Sequence, residues 1–307
     1  MNPLRGIALK VVSVMLFTLM AVCIKIASAG VPPGQAVFFR SFFAMPVILG
    51  WLAWRHDLRH GLDTRNPMGH LWRGLVGTAA MGLGFTALGL LPLPEVTALG
   101  YADPLLTVIF AAMFLGEQVR IFRMTAVLVG LVGVMIVLAP RLTVMDIETA
   151  SKLETVGAFA ALLGAVFAAL AQVFVRKLVQ TEATAAIVFY FSATAAMLSL
   201  ATLPFGWVIP TAREAGFLVT AGFLGGVAQI LLTTSYRHAE VGVIAPFEYA
   251  SMIFALGFGY LLFDETPTAH MLTGAALIVA AGLFIIWRER QIGLKRARAR
   301  SVMTPQG

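Results

Sequence analysis

The 307-residue chain has a single cysteine, and only 12% of its residues are charged. Cys23 alone excludes a disulfide framework and any cysteine-based metal cluster. The five histidines fall in the breaks between apolar runs or at their ends. The one close pair, in HDLRH at 56–60, reads as a solvated loop, so no metal and no cofactor is expected. No GxxxxGK[ST] phosphate loop is present, which argues against an intrinsic ATPase. Nor is any polar stretch long enough to form a soluble domain, so the net charge of +7 has no basic module with which to bind nucleic acid. Soluble domains are about 45–50% apolar and about 25% charged. Here 59% of residues are hydrophobic, in runs of about 18–24. Roughly 20 residues are needed to cross the hydrocarbon as a helix. A membrane β-barrel would instead show short alternating segments of about 10 residues. The expected fold class is an all-α membrane protein.

Ten transmembrane helices are predicted, at about 7–29, 35–54, 71–91, 95–115, 123–139, 155–177, 184–203, 214–235, 241–263 and 269–287. The first apolar run is too long for a signal peptide and lacks a small-residue cleavage site, so it is expected to be a retained span. With the N-terminus inside, the inner breaks and tail carry sixteen basic residues, among them Arg55, Arg59, Arg65, Arg73, Arg120, Arg176 and Arg237. The outer breaks carry three, Arg141, Lys152 and Arg213. The positive-inside rule then places both termini in the cytoplasm, which requires an even number of spans. The basic tail is expected to rest on anionic lipid.

The hydrophobic pattern appears twice. ADPLLTVIFAAMFLGEQV at 102–119 is echoed by YASMIFALGFGYLLFDETP at 249–267. Setting Glu117 over Glu265 gives an offset of 148 residues and also superposes Tyr101 on Tyr249 and Thr125 on Thr273. More loosely, VVSVMLFTLMAVCIKIA (11–27) matches ALLGAVFAALAQVFVRKL (161–178). Five spans per unit is an odd number, so the second copy must insert upside down. The expected organisation is a first five-helix repeat at 1–140, a second, inverted one at 141–290, and a basic tail at 291–307. Inverted repeats typify secondary transporters, with the site near midplane between the halves.

These features together resemble the EamA-type members of the drug/metabolite transporter superfamily. The resemblance rests on the basic end of each unit's opening helix (CIKIA, VRKL), on Pro104 thirteen residues before Glu117, and on a short fifth helix with spaced glycines. It covers nearly the whole chain. One departure stands out: the repeat equivalent of Pro104 is Met252, and the second unit's proline comes earlier, at Pro246. The resemblance implies movement of a small organic metabolite across the bacterial inner membrane by alternating access, without an ATPase subunit. It also implies two halves rocking around a cavity lined by helices 1, 3, 4, 6, 8 and 9. An amino acid or derivative is the first expectation. A riboflavin-like vitamin, S-adenosylmethionine or a lipid-linked sugar is the alternative on the same fold. The rival from another class is an integral-membrane enzyme on a lipid-linked substrate, for which the acidic pair 264–265 would be the seed.

Ionisable groups at membrane depth are functional candidates by default. Asp103 lies eight residues, about 12 Å, into the fourth span, and Glu248 lies at a mirrored depth in the ninth. Both are candidates for substrate binding and proton coupling. Arg40 in VFFRSFFAMP is flanked by apolar residues and is expected to pair with Asp103 or to face substrate. Lys25 is expected to snorkel, and Glu95 to sit at the interface. Pro104 and Pro246 each join a helix break to a carboxylate, and broken backbone in a bundle is tolerated where it lines a cavity. Gln172 and Gln229 supply uncharged hydrogen-bonding groups, and Tyr101, Tyr249 and Tyr190 supply aromatic faces for a planar substrate. Gly222-x-x-x-Gly226 reads as a close-packing face.

Overall fold

A computed structural model describes residues 3–58, 60–115, 121–143, 149–238 and 245–302. Glu117 and the expected Arg59, Arg120 and Glu240 lie outside the described residues, as does the end of the tail. Among the described residues the chain is helical, with no strand. The helices are α1 (Pro3–Ala27), α2 (Pro33–Trp54), α3 (Pro67–Leu90), α4 (Leu93–Gly100), α5 (Ala102–Leu115), α6 (Ile121–Thr143), α7 (Thr149–Leu178), α8 (Thr184–Leu200), α9 (Ala212–His238), α10 (Ala250–Phe263) and α11 (Ala269–Val302). Short 3-10 turns stand at Leu203–Phe205 and Ala245–Tyr249.

Prolines set several of these starts. Pro33, Pro67 and Pro94 occupy first-turn positions, where the missing N–H costs no intrahelical bond. At α3 the Asn66 side chain also caps the Gly69 amide at 2.9 Å. Six helices are long and apolar enough to cross a bilayer: Leu4–Ala27, Pro33–Trp54, Pro67–Leu90, Lys152–Leu178, Ala212–Ser235 and Ala269–Arg288. Met124–Pro140, Thr184–Leu200 and Phe247–Phe263 are shorter apolar helices. The expected fourth span is two pieces, α4 and α5, divided at Tyr101. Pro104 is the third residue of α5, so the break comes just before it, where its missing amide falls among the unpaired donors of a new first turn. The expected ninth span opens as the 3-10 turn containing Pro246 and continues as α10.

The distribution of side chains is inverted relative to a soluble protein. Phe42, Trp54, Trp72, Leu128, Phe159, Met197, Ile253 and Trp287 are exposed, as suits a surface meant for lipid. Alanines fill much of the interior, with Ser13, Ser41, Ser192 and Ser235 fully buried among them. Between helices in lipid, close van der Waals contact supplies the cohesion, and small residues permit it. Gly222 and Gly226 show how: both face α2, and a Cβ on Gly226 would come within 3.2 Å of the Ala44 backbone. The main interhelical packings are α1 on α9, α3 on α7, α6 on α11, α2 on both α8 and α9, and α3 on α8.

Both ends of α3 are tied down. At its far end Lys25 donates to the Leu91 carbonyl (2.6 Å) and the Leu88 carbonyl (3.3 Å) and pairs with Glu265 at 3.0 Å. Glu265 in turn accepts the Leu93 amide at 2.8 Å. Lys25 is therefore a partly buried tie and not a snorkelling residue, and Glu95 is buried in the first turn of α4 rather than interfacial. At the near end Glu182, in the α7–α8 loop, accepts the Arg65 amide at 3.0 Å and lies 3.5 Å from His70 Nε2. Burial alone would raise the Glu182 pKa. The Arg65 amide and the His70 and Thr64 side chains outweigh it and hold the carboxyl below its ordinary 4.5.

Two outcomes follow from this packing. Gly226→Leu is expected to force α9 off α2 and to lower stability by about 1–3 kcal/mol or more, read as a lower melting temperature in detergent. Because folding lowers the proton affinity of Glu182, its ionised form adds stability above the ordinary carboxylate pKa, and that gain is lost as pH falls. Glu182→Gln should thus melt below the wild type at about pH 7, with the gap beginning to close only as pH falls through the ordinary carboxylate value of 4.5 and closing further below it.

Candidate functional site

A cavity of about 310 Å³ lies in the middle of the bundle. Along α3 its lining runs from Arg73 to Phe85, between the two tied ends of that helix. Met20 of α1, Arg40 of α2, Gln172 of α7, Phe191 of α8 and Gln229 of α9 complete most of the wall. The size falls at the lower end of the range of small-molecule pockets, about 300–1,000 Å³. Spans one, two, three, six, seven and eight supply the lining. Among the described residues the fourth and ninth contribute no lining, and their polar residues turn to a separate cluster.

Two arginines dominate the cavity. Arg40 is 3% exposed and Arg73 is 8% exposed, and among the described residues Nε and Nη1 of each lack a hydrogen-bond partner. Both guanidiniums lie over the same ring: Arg73 Cζ is 3.9 Å and Arg40 Cζ is 5.5 Å from the centroid of Phe191. Glycines make room for them. A Cβ at Gly77, one turn beyond Arg73, would strike Arg73 Nη1 and approach Phe191 to 2.8 Å. One at Gly225 would stand 2.9 Å from Arg40 Nε. Among the described residues no carboxylate forms an ion pair with either arginine. The expected Arg40–Asp103 pair is not formed. Gln172, Gln229 and Arg40 do converge as candidates on one cavity, with Thr233 beside them.

The carboxylates gather elsewhere. Lys10, buried in α1, pairs with Glu248 at 3.2 Å. Asp103 accepts the Thr107 hydroxyl at 3.0 Å, and the charges of Glu248, Lys10 and Arg176 act on it. The two helix breaks meet at this point. The Tyr101 and Tyr249 rings pack edge to face, with centroids 5.0 Å apart. The Tyr101 hydroxyl lies 2.7 Å from Ser251 Oγ and 3.2 Å from the Tyr249 carbonyl, and Ser251 donates to the Glu248 carbonyl at 2.7 Å. Asp103, Glu248, Tyr101 and Tyr249 are thus brought together, away from the arginines. Only the backbone of Pro246 is described, within the adjoining 3-10 turn.

Tyr190 belongs to neither group. Its hydroxyl donates to the Leu62 carbonyl at 3.0 Å and its ring packs on His70, so it buttresses the near end of α3. Sequence reading missed Arg73, Lys10 and Phe191. The signal for Arg73 was the Asn66-Pro67 helix start, which carries the third helix four residues further than its hydropathy does.

Comparison with known proteins fits this architecture. The EamA-like transporter family matches residues 4–139 and 155–287. A pseudopaline exporter of Pseudomonas aeruginosa is 32% identical over 277 residues, covering 90% of this chain and 94% of the relative. An S-adenosylmethionine uptake transporter of Rickettsia bellii is 28% identical, covering 85% of this chain and 86% of the relative. A solved crystal structure shares the fold, with a TM-score of 0.66 at 22% identity over 94% of this chain and 98% of its own. The chain therefore belongs to the EamA-like transporter family, a multi-pass membrane transporter and not an enzyme.

Proposed function

We propose that the protein is a secondary transporter that moves a small organic metabolite, an amino acid or derivative, across the bacterial cytoplasmic membrane by alternating access. In this reading ten spans form two inverted halves, residues 1–140 and 141–290, with both termini and the basic tail cytoplasmic. The carrying observation is the central cavity, walled by Arg40 and Arg73 from the first half and by Gln172, Phe191 and Gln229 from the second. A ligand held there touches both halves, so rocking them exposes it to one side and then the other.

Two further observations support the inversion. Exchanging each helix for its counterpart turns α1 on α9 into α7 on α3, and α2 on α9 into α8 on α3, and all four packings are present. Contact between Tyr101 and Tyr249, which are equivalent at the 148-residue offset, is what a pseudo-two-fold axis between them would produce. The relatives supply the substrate class only in outline. A second reading, transport of S-adenosylmethionine, is favoured by the Rickettsia relative.

Proton coupling is assigned to Lys10, Asp103 and Glu248. Lys10 pairs with Glu248 and its charge also acts on Asp103, and the Glu248 side chain is 38% exposed. Protonating one carboxylate would free Lys10 to shift with α1, which packs on α9 beside the cavity. Asp103→Asn and Glu248→Gln are expected to lose accumulation driven by a pH gradient in proteoliposomes, by tenfold or more on the order of general acid–base effects, while retaining substrate exchange at equilibrium. Accumulation equal to the wild type in both variants would leave a facilitator without protons. Absence of exchange with any metabolite of the amino-acid class, in wild type, would sink the substrate reading.

A further inference from the structure

We infer that the central cavity is an anion site, and that the transported metabolite carries a net negative charge through a carboxylate held between Arg40 and Arg73. This rests on the reading of that cavity as the transport site and narrows its substrate from amino acids at large to acidic ones.

The desolvation of these two charges is not offset from within the described residues. An arginine does not shed its proton, so both side chains bring full charges into a site where they are almost wholly buried. Buried charge is tolerated when it is paired and hydrogen-bonded. Among the described residues these two have neither, only the face of Phe191, and Arg73 also feels the repulsion of Arg40. The acids that a zwitterion's ammonium group would need, Asp103 and Glu248, are engaged with Thr107 and Lys10 in the other cluster. What the cavity offers is unpartnered N–H donors on two planar cations, with Gln172, Gln229 and Thr233 for further hydrogen bonds. That set complements a planar oxyanion, which guanidinium forks bind by charge-assisted bonds. With two positive charges to neutralise, a dicarboxylate or an amino-acid derivative with a surplus carboxylate is the matching class. A phosphate ester shares the chemistry, and the probes separate the two.

The test measures the apparent melting temperature of the full-length protein in detergent, titrated with succinate, inorganic phosphate or leucine, since a ligand of the native state raises it. The expected result is a saturable rise with succinate and none with leucine. Arg40→Gln and Arg73→Gln should each weaken the response more than about tenfold, the loss of a charged hydrogen bond. Arg73→Lys, which keeps the charge without the fork, should also weaken it. Without ligand the two glutamine variants should melt no lower than the wild type, because a buried charge has been removed. A response to phosphate alone that needs both arginines upholds the anion site and moves the substrate to phosphate esters. The inference fails if leucine stabilises as well as succinate does, if neither anion stabilises, or if the response survives in both glutamine variants. Failure of the underlying reading looks different: succinate binding that depends on both arginines, in a protein whose transport neither substitution alters, would keep the anion site and remove it from the transport path.

Discussion

Inside hydrocarbon a polar group has no water to turn to, and that constraint places nearly every charged side chain of this bundle. Lys25 takes two backbone carbonyls and Glu265, and Lys10 takes Glu248. Glu182 takes the Arg65 amide and the His70 side chain. Arg40 and Arg73 stand apart from this pattern, for they border an open cavity and, among the described residues, meet only an aromatic face. Lys10, Lys25 and Glu182 are matched from within the bundle, whereas the two arginines are not, and on the proposed reading a ligand from outside completes them.

On the proposed reading, the two polar groups divide the work that transport requires. One is a cationic chamber contributed by both halves of the chain. The other is a mixed-charge cluster at the junction of two interrupted helices, where α1 meets the 3-10 turn before α10. Helix α1 touches both, through Met20 at the cavity and Lys10 at the cluster. Mechanical continuity between ligand and carboxylates thus runs along about ten residues of one helix, roughly 15 Å.

Much of this was legible in the sequence. The apolar runs and their proline-marked starts locate the long helices, because both reflect local physics. The carboxylates beside Pro104 and Pro246 stand out because a charge and a helix break seldom coincide in a span by chance. What could not be read is who meets whom. Lys10 and Glu248 are 238 residues apart in the chain, and only the packing of α1 joins them. Hydropathy begins the third span at Leu71 and so counts Arg73 with the loop charges. The helix begins at Pro67, and six residues of rise carry the guanidinium about 9 Å inward. Pairing Arg40 with Asp103 followed from depth alone, which says nothing about azimuth. Tyr190, similarly, had the right depth and faces the wrong way.

The Lys25 tie has a consequence for how that end of the molecule opens. One ammonium group joins the end of α1, the α3–α4 turn and the loop after α10, and Glu265 adds the start of α4 to the same knot. These elements cannot be released one at a time, since moving any of them strands a charge or a carbonyl in a nearly dry place. On the alternating-access reading proposed above, opening there would be a single concerted event, with a barrier set by the whole knot rather than by its weakest bond. A passage held in that way by one shared ion would be either shut or open, and would leak little in between.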